Sequence, residues 1–521
     1  MKSGTPLVAL AHLRWKQLSV ESRATIARAF QVTDMQKSRL SPSGRFRIHY
    51  DTSGVNTPAL LNPTHTDTLA NTYEAYVDSV AAIFDYCWTF QADSLGYLPP
   101  ASDGGWGGGP EYDVFIQSQG TDPLAFGYTT WDDSTRVNPT SNPPRYWAYT
   151  VIDNEFLYYR TKGMDALRAT AAHELQHAIH LGGYGLWDER DEYFYELSAG
   201  WMEGVNFPSI HDYYYDVADY FRYFHGFSFY YFPINPSDPG FVGSERGIWG
   251  QFLTARFGRD VIKDIWEREA TERLIPSIND ALIARGSDFA TEFTLFTYWN
   301  YYTADRADPV HYYPEGSHYP RFVPGAVAPY SSGGNAYIAD QPKAFSSNFY
   351  EFQLSTDTIT AIIANVDLAA AEQYDKTTLS LQLELGASVA DLPTQDLPDG
   401  LKVGFGAGDP TVWTEHYVQS STGSLVLKTN KNASPNPLRL SSGTRLALPV
   451  SELVNTPAQV YFLTSALTLQ YSGDYTVSNS LNGRFIFVPS ADLQSRLSSG
   501  IYFVIARVNQ SEYRWKVAVV R

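Results

Sequence analysis

The chain of 521 residues has a single cysteine, Cys87. No internal disulfide can form, and zinc modules built on several cysteines are excluded. Long apolar runs are also missing: no stretch approaches the roughly 20 consecutive residues that a membrane-spanning helix needs, so no stable membrane insertion is expected. Basic residues are in deficit, with 38 Lys and Arg against 56 Asp and Glu and a formal net charge of -18. That balance argues against a nucleic-acid partner, whose phosphates favour a basic face. Excess carboxylate suits a soluble extracellular protein. No short repeat of the solenoid kind is present. What the chain does have is apolar residues, 44% against 18% charged, enough to build large cores. At about 100–200 residues per domain, the length allows two to four domains. Cys87 lies in the apolar run AAIFDYCWTF and is expected in a core.

The pattern divides along the chain. Residues 1–11 (MKSGTPLVALA) hold a short apolar run interrupted by Gly4 and Pro6. It is briefer than the roughly 7–15 residues of a signal peptide, so no export signal is read there. Residues 1–43 read as a helical lead-in, with LSVESRATIARAFQ a helix opened by Ser19 or Ser22. RFRIHYD alternates as a strand, and residues 66–92 read as a long amphipathic helix. The glycine-rich DGGWGGGPEYDVFIQ leads into a strand, and it lacks the alternating acids of a calcium loop. AFGYTTW and YWAYTVID are further strands. The helix GMDALRATAAHELQHAIHLGG follows, closed by glycine. Residues 188–300 are mostly helical. Beyond about residue 325 short alternating strands such as NFYEFQLS, TTLSLQLEL and GSLVLKTN take over, which predicts a β-sandwich. A polar linker at TNKNASPNPLRL separates a last set of strands.

The chemistry is concentrated in AAHELQHAIH. His173 and His177 stand four apart on a predicted helix, so both imidazoles leave one face a turn apart. Two nitrogens so placed can reach one ion at about 2.0–2.1 Å. Glu174 points to the side, where it can act as the general base on a metal-bound water. A catalytic zinc needs a third protein ligand and one open position. Acidic candidates downstream are Asp188, Glu189, Asp191, Glu192, Glu196 and Glu203. The first four are expected in a solvated charged turn. His180 shares the face of His177 and is read as packing or supporting the ligands from behind rather than as a fourth metal contact.

The segment YELSAGWMEG, with Glu196 eighteen residues beyond His177, resembles the gluzincin metallopeptidases, in which a second helix supplies a Glu ligand. In the aminopeptidase branch of that group the ligand is followed by Ala, an aromatic and Glu at offsets three, five and seven. Ala199, Trp201 and Glu203 stand at those offsets here. The resemblance implies a zinc ion held by His173, His177 and Glu196, with Glu203 orienting one histidine. It departs at the oxyanion donor: the helix that should open with Tyr reads SERGIWGQFL, with Ser244 in that place. His225, Arg246, Tyr230 and Tyr231 are alternatives by proximity in sequence. The aromatic block from Tyr213 to Phe232 reads first as core and second as a cleft lining.

Two narrower resemblances follow. RFRIHYDTSG, LGYLPPASDGGWGGGPEYDVF and YTVIDNEF, followed by the histidine helix, look like a group of predicted secreted bacterial metallopeptidases known from myxobacteria. SPNPLRL and GRFIFVPSADLQSRLSSGIYFVIARVNQSEYRWKVAVVR look like the C-terminal sorting domain of type IX secretion cargo, with an ordinary C-terminal sandwich as the alternative. Together they imply an α+β chain. The expected parts are a helical lead-in (1–43), a zincin-like metallopeptidase domain (44–325) with a small mixed sheet, an active-site helix and a helical subdomain, a β-sandwich (326–430) and a C-terminal β-sandwich sorting domain (431–521). They also imply a secreted or surface location, peptide substrates and the type IX machinery as a partner. The competing reading is an inactive metallopeptidase-like adhesin or carbohydrate-binding protein. An intact Glu174 argues against it.

Overall fold

A computed structural model describes residues 3–29, 34–121, 125–131, 133–137, 140, 142–187, 189–224, 227–231, 243–330, 336–354, 358–374, 380–385, 394–396, 401–405, 413–419, 433, 435–442, 444–450, 452–453, 455–480, 483–509 and 511–521. These mix helices and sheets in an α+β arrangement. The chain divides into two compact units: residues 1–223, 230–277 and 307–320 form the first, and 224–229, 278–306 and 321–521 form the second.

The first unit contains α1 (Thr5–Leu13), α2 (Val20–Ala29), β1 (Lys37–Leu40), β2 (Phe46–Tyr50), α3 (Tyr73–Trp88), β3 (Tyr112–Ile116), β4 (Gly127–Thr130), β5 (Tyr149–Ile152), α4 (Gly163–Ile179), α5 (Glu192–Asn206), α6 (Tyr214–Tyr223), α7 (Gly247–Phe257) and α8 (Asp260–Glu269). The division falls within α9 (Leu274–Ile283). Five strands form one mixed sheet in the order β1-β2-β3-β5-β4. The central pairs are parallel, and both edge strands, β1 and β4, run antiparallel to their neighbours. Strand β1 lies inside the stretch whose pattern reads as a helical lead-in. Its partner β2 accounts for it: Lys37–Leu40 pairs residue by residue with Arg47–Tyr50. Ser19 is the cap of α2, its Oγ accepting the Ser22 amide at 3.0 Å.

Helix α3 is shorter than its sequence pattern. Asn71 adopts a left-handed backbone (φ 61°), and Asn62 Oδ1 accepts the Thr66 amide, so the chain before Tyr73 is spent in a hydrogen-bonded loop. Helix α4 is buried on nearly all sides. Beyond Ile179 it widens for one turn and leaves at Gly185 (φ 99°), later than the glycine pair at which its sequence pattern closes. Gly182 and Gly183 serve instead as contact points: a Cβ at either would lie 2.3 Å from the Ala101 amide or 2.8 Å from Leu98 Cβ. Cys87 is fully buried, as its apolar run predicts.

The second unit adds α10 (Phe289–Trp299), β6 (Ala326–Pro329), β7 (Ala336–Asp340), β8 (Ser347–Gln353), β9 (Thr358–Asn365), α11 (Leu368–Glu372), β10 (Leu381–Leu385), β11 (Thr394–Asp396), β12 (Leu401–Phe405), β13 (Trp413–Gln419), β14 (Leu438–Arg439), β15 (Arg445–Val450), β16 (Pro457–Thr464), β17 (Leu469–Ser480), β18 (Gly483–Pro489), α12 (Ser490–Gln494), β19 (Gly500–Val508) and β20 (Ser511–Val520). Two four-stranded sheets, β11-β12-β10-β7 and β13-β9-β8-β6, share an apolar cluster that includes Ile338, Leu383, Phe352 and Ile363. The remaining strands form a seven-stranded sheet, β14-β20-β19-β16-β17-β18-β15. Its two ends contribute to one core, in which Leu448 and Ile486 join Val460, Val504 and Val517. The segment GSLVLKTN lies outside the described residues.

Candidate metal centre

Helix α4 presents His173 and His177 with ring centroids 4.8 Å apart. Their Nε2 atoms face each other at 3.0 Å. Helix α5 packs alongside and brings the Glu196 carboxylate to them, Oε1 at 3.0 Å from His177 Nε2 and Oε2 at 3.3 Å from His173 Nε2. One ligand atom from each of the three lies within 4.8 Å of the others, and all three residues are buried. The chain just before α7 approaches α5 closely at this point. Gly243 (φ 88°) stacks on Glu196, where a Cβ would come 2.6 Å from Glu196 Cβ. A left-handed glycine without a side chain is therefore required there.

The residues fit a metal. Two buried imidazole nitrogens point at one another, and neither oxygen of Glu196 receives a directed hydrogen bond. Such a group costs free energy when left empty, since buried acceptors without donors lose about 1–3 kcal/mol each. Glu203, further along α5, holds His173 Nδ1 at 2.7 Å. With the Nδ1 proton directed at a carboxylate, the Nε2 lone pair is free to face an ion. Burial works against a charge on His173, but in the metal-free site Glu196 and Glu203 overcome it and push its pKa up to about 10, so an ion bound there would displace a proton from Nε2. On Glu196, burial pushes upward and is outweighed by His177 and His173, which leave the carboxyl below its ordinary value.

Glu174 leaves α4 toward the sheet. Its Oε2 accepts from the Thr129 hydroxyl at 2.9 Å, on the edge strand β4. Thr129 continues through Thr150 (3.1 Å) to the Tyr112 hydroxyl (2.9 Å), a chain of hydroxyls across three strands. Thr5, from α1, also donates to Glu174 Oε2 at 2.9 Å. Sequence patterns give no sign of Thr5, Thr129 or Thr150 near Glu174, because each stands in an apolar or alternating stretch with no motif of its own.

No family model matches the chain, and no curated protein matches it.

The remaining candidates fall elsewhere. His180 stacks on Trp266 with centroids 3.8 Å apart, and its Nε2 lies 2.8 Å from Gln176 Nε2. Burial, with His177 and His173 nearby, pushes its pKa well down, so it stays a neutral packing residue. The expected solvated turn before α5 is corrected: Asp191 and Glu192 are buried. Asp191 pairs with Arg273 Nη2 at 2.8 Å, and Glu192 begins α5 with its pKa raised well above the ordinary value by burial, Glu196 and Asp191. Asp188 lies outside the described residues, and Glu189 sits in a short turn of helix just before α5. Ser244 packs its Cβ against Gly200. Arg246 is buried, with its guanidinium over the Tyr193 ring and a bond to the Tyr231 carbonyl. Tyr230 is buried, and His225 lies outside the described residues.

Proposed function

We propose that the chain is a zinc-dependent metallopeptidase in which His173, His177 and Glu196 hold the metal and Glu174 is the general base. The observation that carries this reading is the convergence of two imidazole nitrogens and one carboxylate, within 4.8 Å and without competing donors, beside a carboxylate on the same helix. Bound there, zinc would supply a Lewis acid that polarises a carbonyl and lowers the pKa of a water toward about 7. Two His and one Glu with a free fourth position are a donor set suited to zinc.

The protein's own residues do the rest. Thr129 fixes Glu174 through Oε2. That leaves Oε1 to take a proton from the attacking water and to pass it to the departing amine. Glu203 keeps His173 in the tautomer that offers Nε2. The order β2-β3-β5-β4 within residues 44–325, with an antiparallel edge strand beside Glu174 and a helix carrying both histidines, supports the zincin-like reading, and β1 from the lead-in extends that sheet. The location proposed is extracellular or surface, reached by type IX secretion, on the strength of the C-terminal sequence resemblance. Among the described residues no helix is long and apolar enough to cross a membrane.

The deciding experiment measures zinc content and casein hydrolysis for the natural protein and Glu174→Gln. One zinc per chain in both, with hydrolysis reduced about 100-fold or more in the variant, supports the assignment. Zinc in both with no hydrolysis in either favours the adhesin reading.

A further inference from the structure

The four side chains of the proposed site are all shut away from solvent: His173, Glu174, His177 and Glu196 are each at most 1% exposed. A peptidase must admit an extended chain to such a site. Part of what lies against it comes from residues 3–13, whose Thr5 hydroxyl reaches Glu174. Strand β4 is an edge of the five-stranded sheet and pairs with β5 on one side only. On its open side the outward groups are those of Gly127 and Thr129. Both are occupied. Gly127 O accepts the Gly4 amide at 2.9 Å, Ser3 forms a parallel bridge to Gly127, and the Thr129 amide donates to Thr5 Oγ1 at 2.9 Å. The same Thr5 hydroxyl then donates to Glu174 Oε2.

The chain continues as α1, whose Val8 and Ala9 are buried and which lies against both β4 and α5. Its far end is pinned by His12, whose ring sits 5.7 Å from that of Trp131 and 5.3 Å from that of Tyr146. Residues 3–13 thus bridge the strand beside the base and the helix that carries Glu196. The segment SGTPLVALAHL contains no Cys, Asp or Glu. Its one histidine is turned to aromatic rings. It occupies a strand edge and caps Glu174, with no carboxylate or thiol to offer a metal.

Resting on the metallopeptidase reading, we infer that residues 3–13 are a built-in blocking segment that holds the site closed. An extended peptide is the occupant that the free edge of β4 would otherwise accept, since edge strands bind chains through these same outward amides and carbonyls. Thr5 holds the position beside Glu174 that a substrate would have to enter. Removing or displacing the segment is then the step that turns hydrolysis on.

The test uses the zinc-loaded full chain beside Ala9→Asp, which places a charge on the buried face of α1, and Thr5→Val, which keeps volume and removes both hydroxyl bonds. Three quantities are measured: hydrogen exchange of the Thr129 amide, affinity for a zinc-chelating peptide hydroxamate, and casein hydrolysis. Ala9→Asp is expected to speed Thr129 exchange and to bind the hydroxamate about ten-fold tighter or more, the factor that a site closed nine-tenths of the time loses in apparent affinity. Thr5→Val should shift the same way by a smaller factor. A synthetic peptide of residues 3–14 should reverse the gain. Faster Thr129 exchange with unchanged hydroxamate affinity in both variants overturns the blocking role. No zinc in any of the proteins overturns the reading of the site itself, and metal content tells the two failures apart.

Discussion

Helix α4 hides His173, Glu174, Gln176 and His177 beside Leu175 and Ile179, whereas β19 and β20 hide only every second residue. In β19, Tyr502, Val504, Ala506 and Val508 face the core while Ile501 and Phe503 face out. The sheet follows strand geometry: period two, apolar inside, little polar burial. Helix α4 breaks the corresponding helical rule, since its polar face is as buried as its apolar one. A buried polar group is tolerated only where a partner meets it. Glu203 meets His173, Thr129 meets Glu174, and Gln91 Nε2 donates to the Ala172 carbonyl. The Glu196 oxygens have no donor beyond the two imidazoles, and they belong to the group that could hold a metal ion. Burial in the sheet is therefore a matter of stability. In α4 it marks a site.

The largest effect that could break this contrast is loss of the metal. His177→Ala removes one of the three proposed ligands, and on the zinc reading bound metal should fall from about one equivalent to near zero at micromolar protein, measured by elemental analysis after gel filtration. If the variant keeps a full equivalent, the buried polar face of α4 needs another explanation. A second substitution sharpens the other side. Leu448→Ala, fully buried in β15 opposite Ile486, should cost about 2–5 kcal/mol in denaturant unfolding of the full chain. Its zinc content should not change. A joint loss of stability and zinc would mean that the sheet does more than bury apolar surface.

The two regions also differed in how far their sequences announced them. The histidine pair was readable because four-residue spacing is local and places both rings on one helix face whatever surrounds it. Glu196 and Glu203 were readable only through the resemblance of YELSAGWMEG to a known helix. The alternation of RFRIHYD and of the C-terminal strands likewise gave β2, β18 and β19. Strand β1 was hidden because Lys37–Leu40 is short and exposed, and only its pairing with β2 defines it. The burial of Asp191 and Glu192 was hidden for a similar reason, as Arg273 lies 82 residues away from Asp191. Thr5 and Thr129 are the extreme case. They are 124 residues apart and meet at Glu174 only after the sheet edge has formed. Contacts of that kind leave no periodic trace in a sequence.

Glu203 lies between the two regions in the size of its expected effect. Its carboxylate does not join the group that could hold an ion, yet it meets His173 Nδ1 at 2.7 Å where both side chains are buried. Glu203→Ala leaves the imidazole free to move its proton to Nε2, where it would point at the metal rather than offer a lone pair. Zinc affinity should fall about 10–100-fold, in line with removal of other groups that orient metal-bound histidines. Glu203→Gln, which can still accept from Nδ1 but carries no charge, should fall less. Competition with a fluorescent chelator measures both, alongside the unfolding midpoint of each metal-free variant. If affinity tracks that midpoint across the two variants, Glu203 acts only through the stability of α5. An affinity loss in Glu203→Ala that Glu203→Gln partly restores at equal midpoint places it on His173.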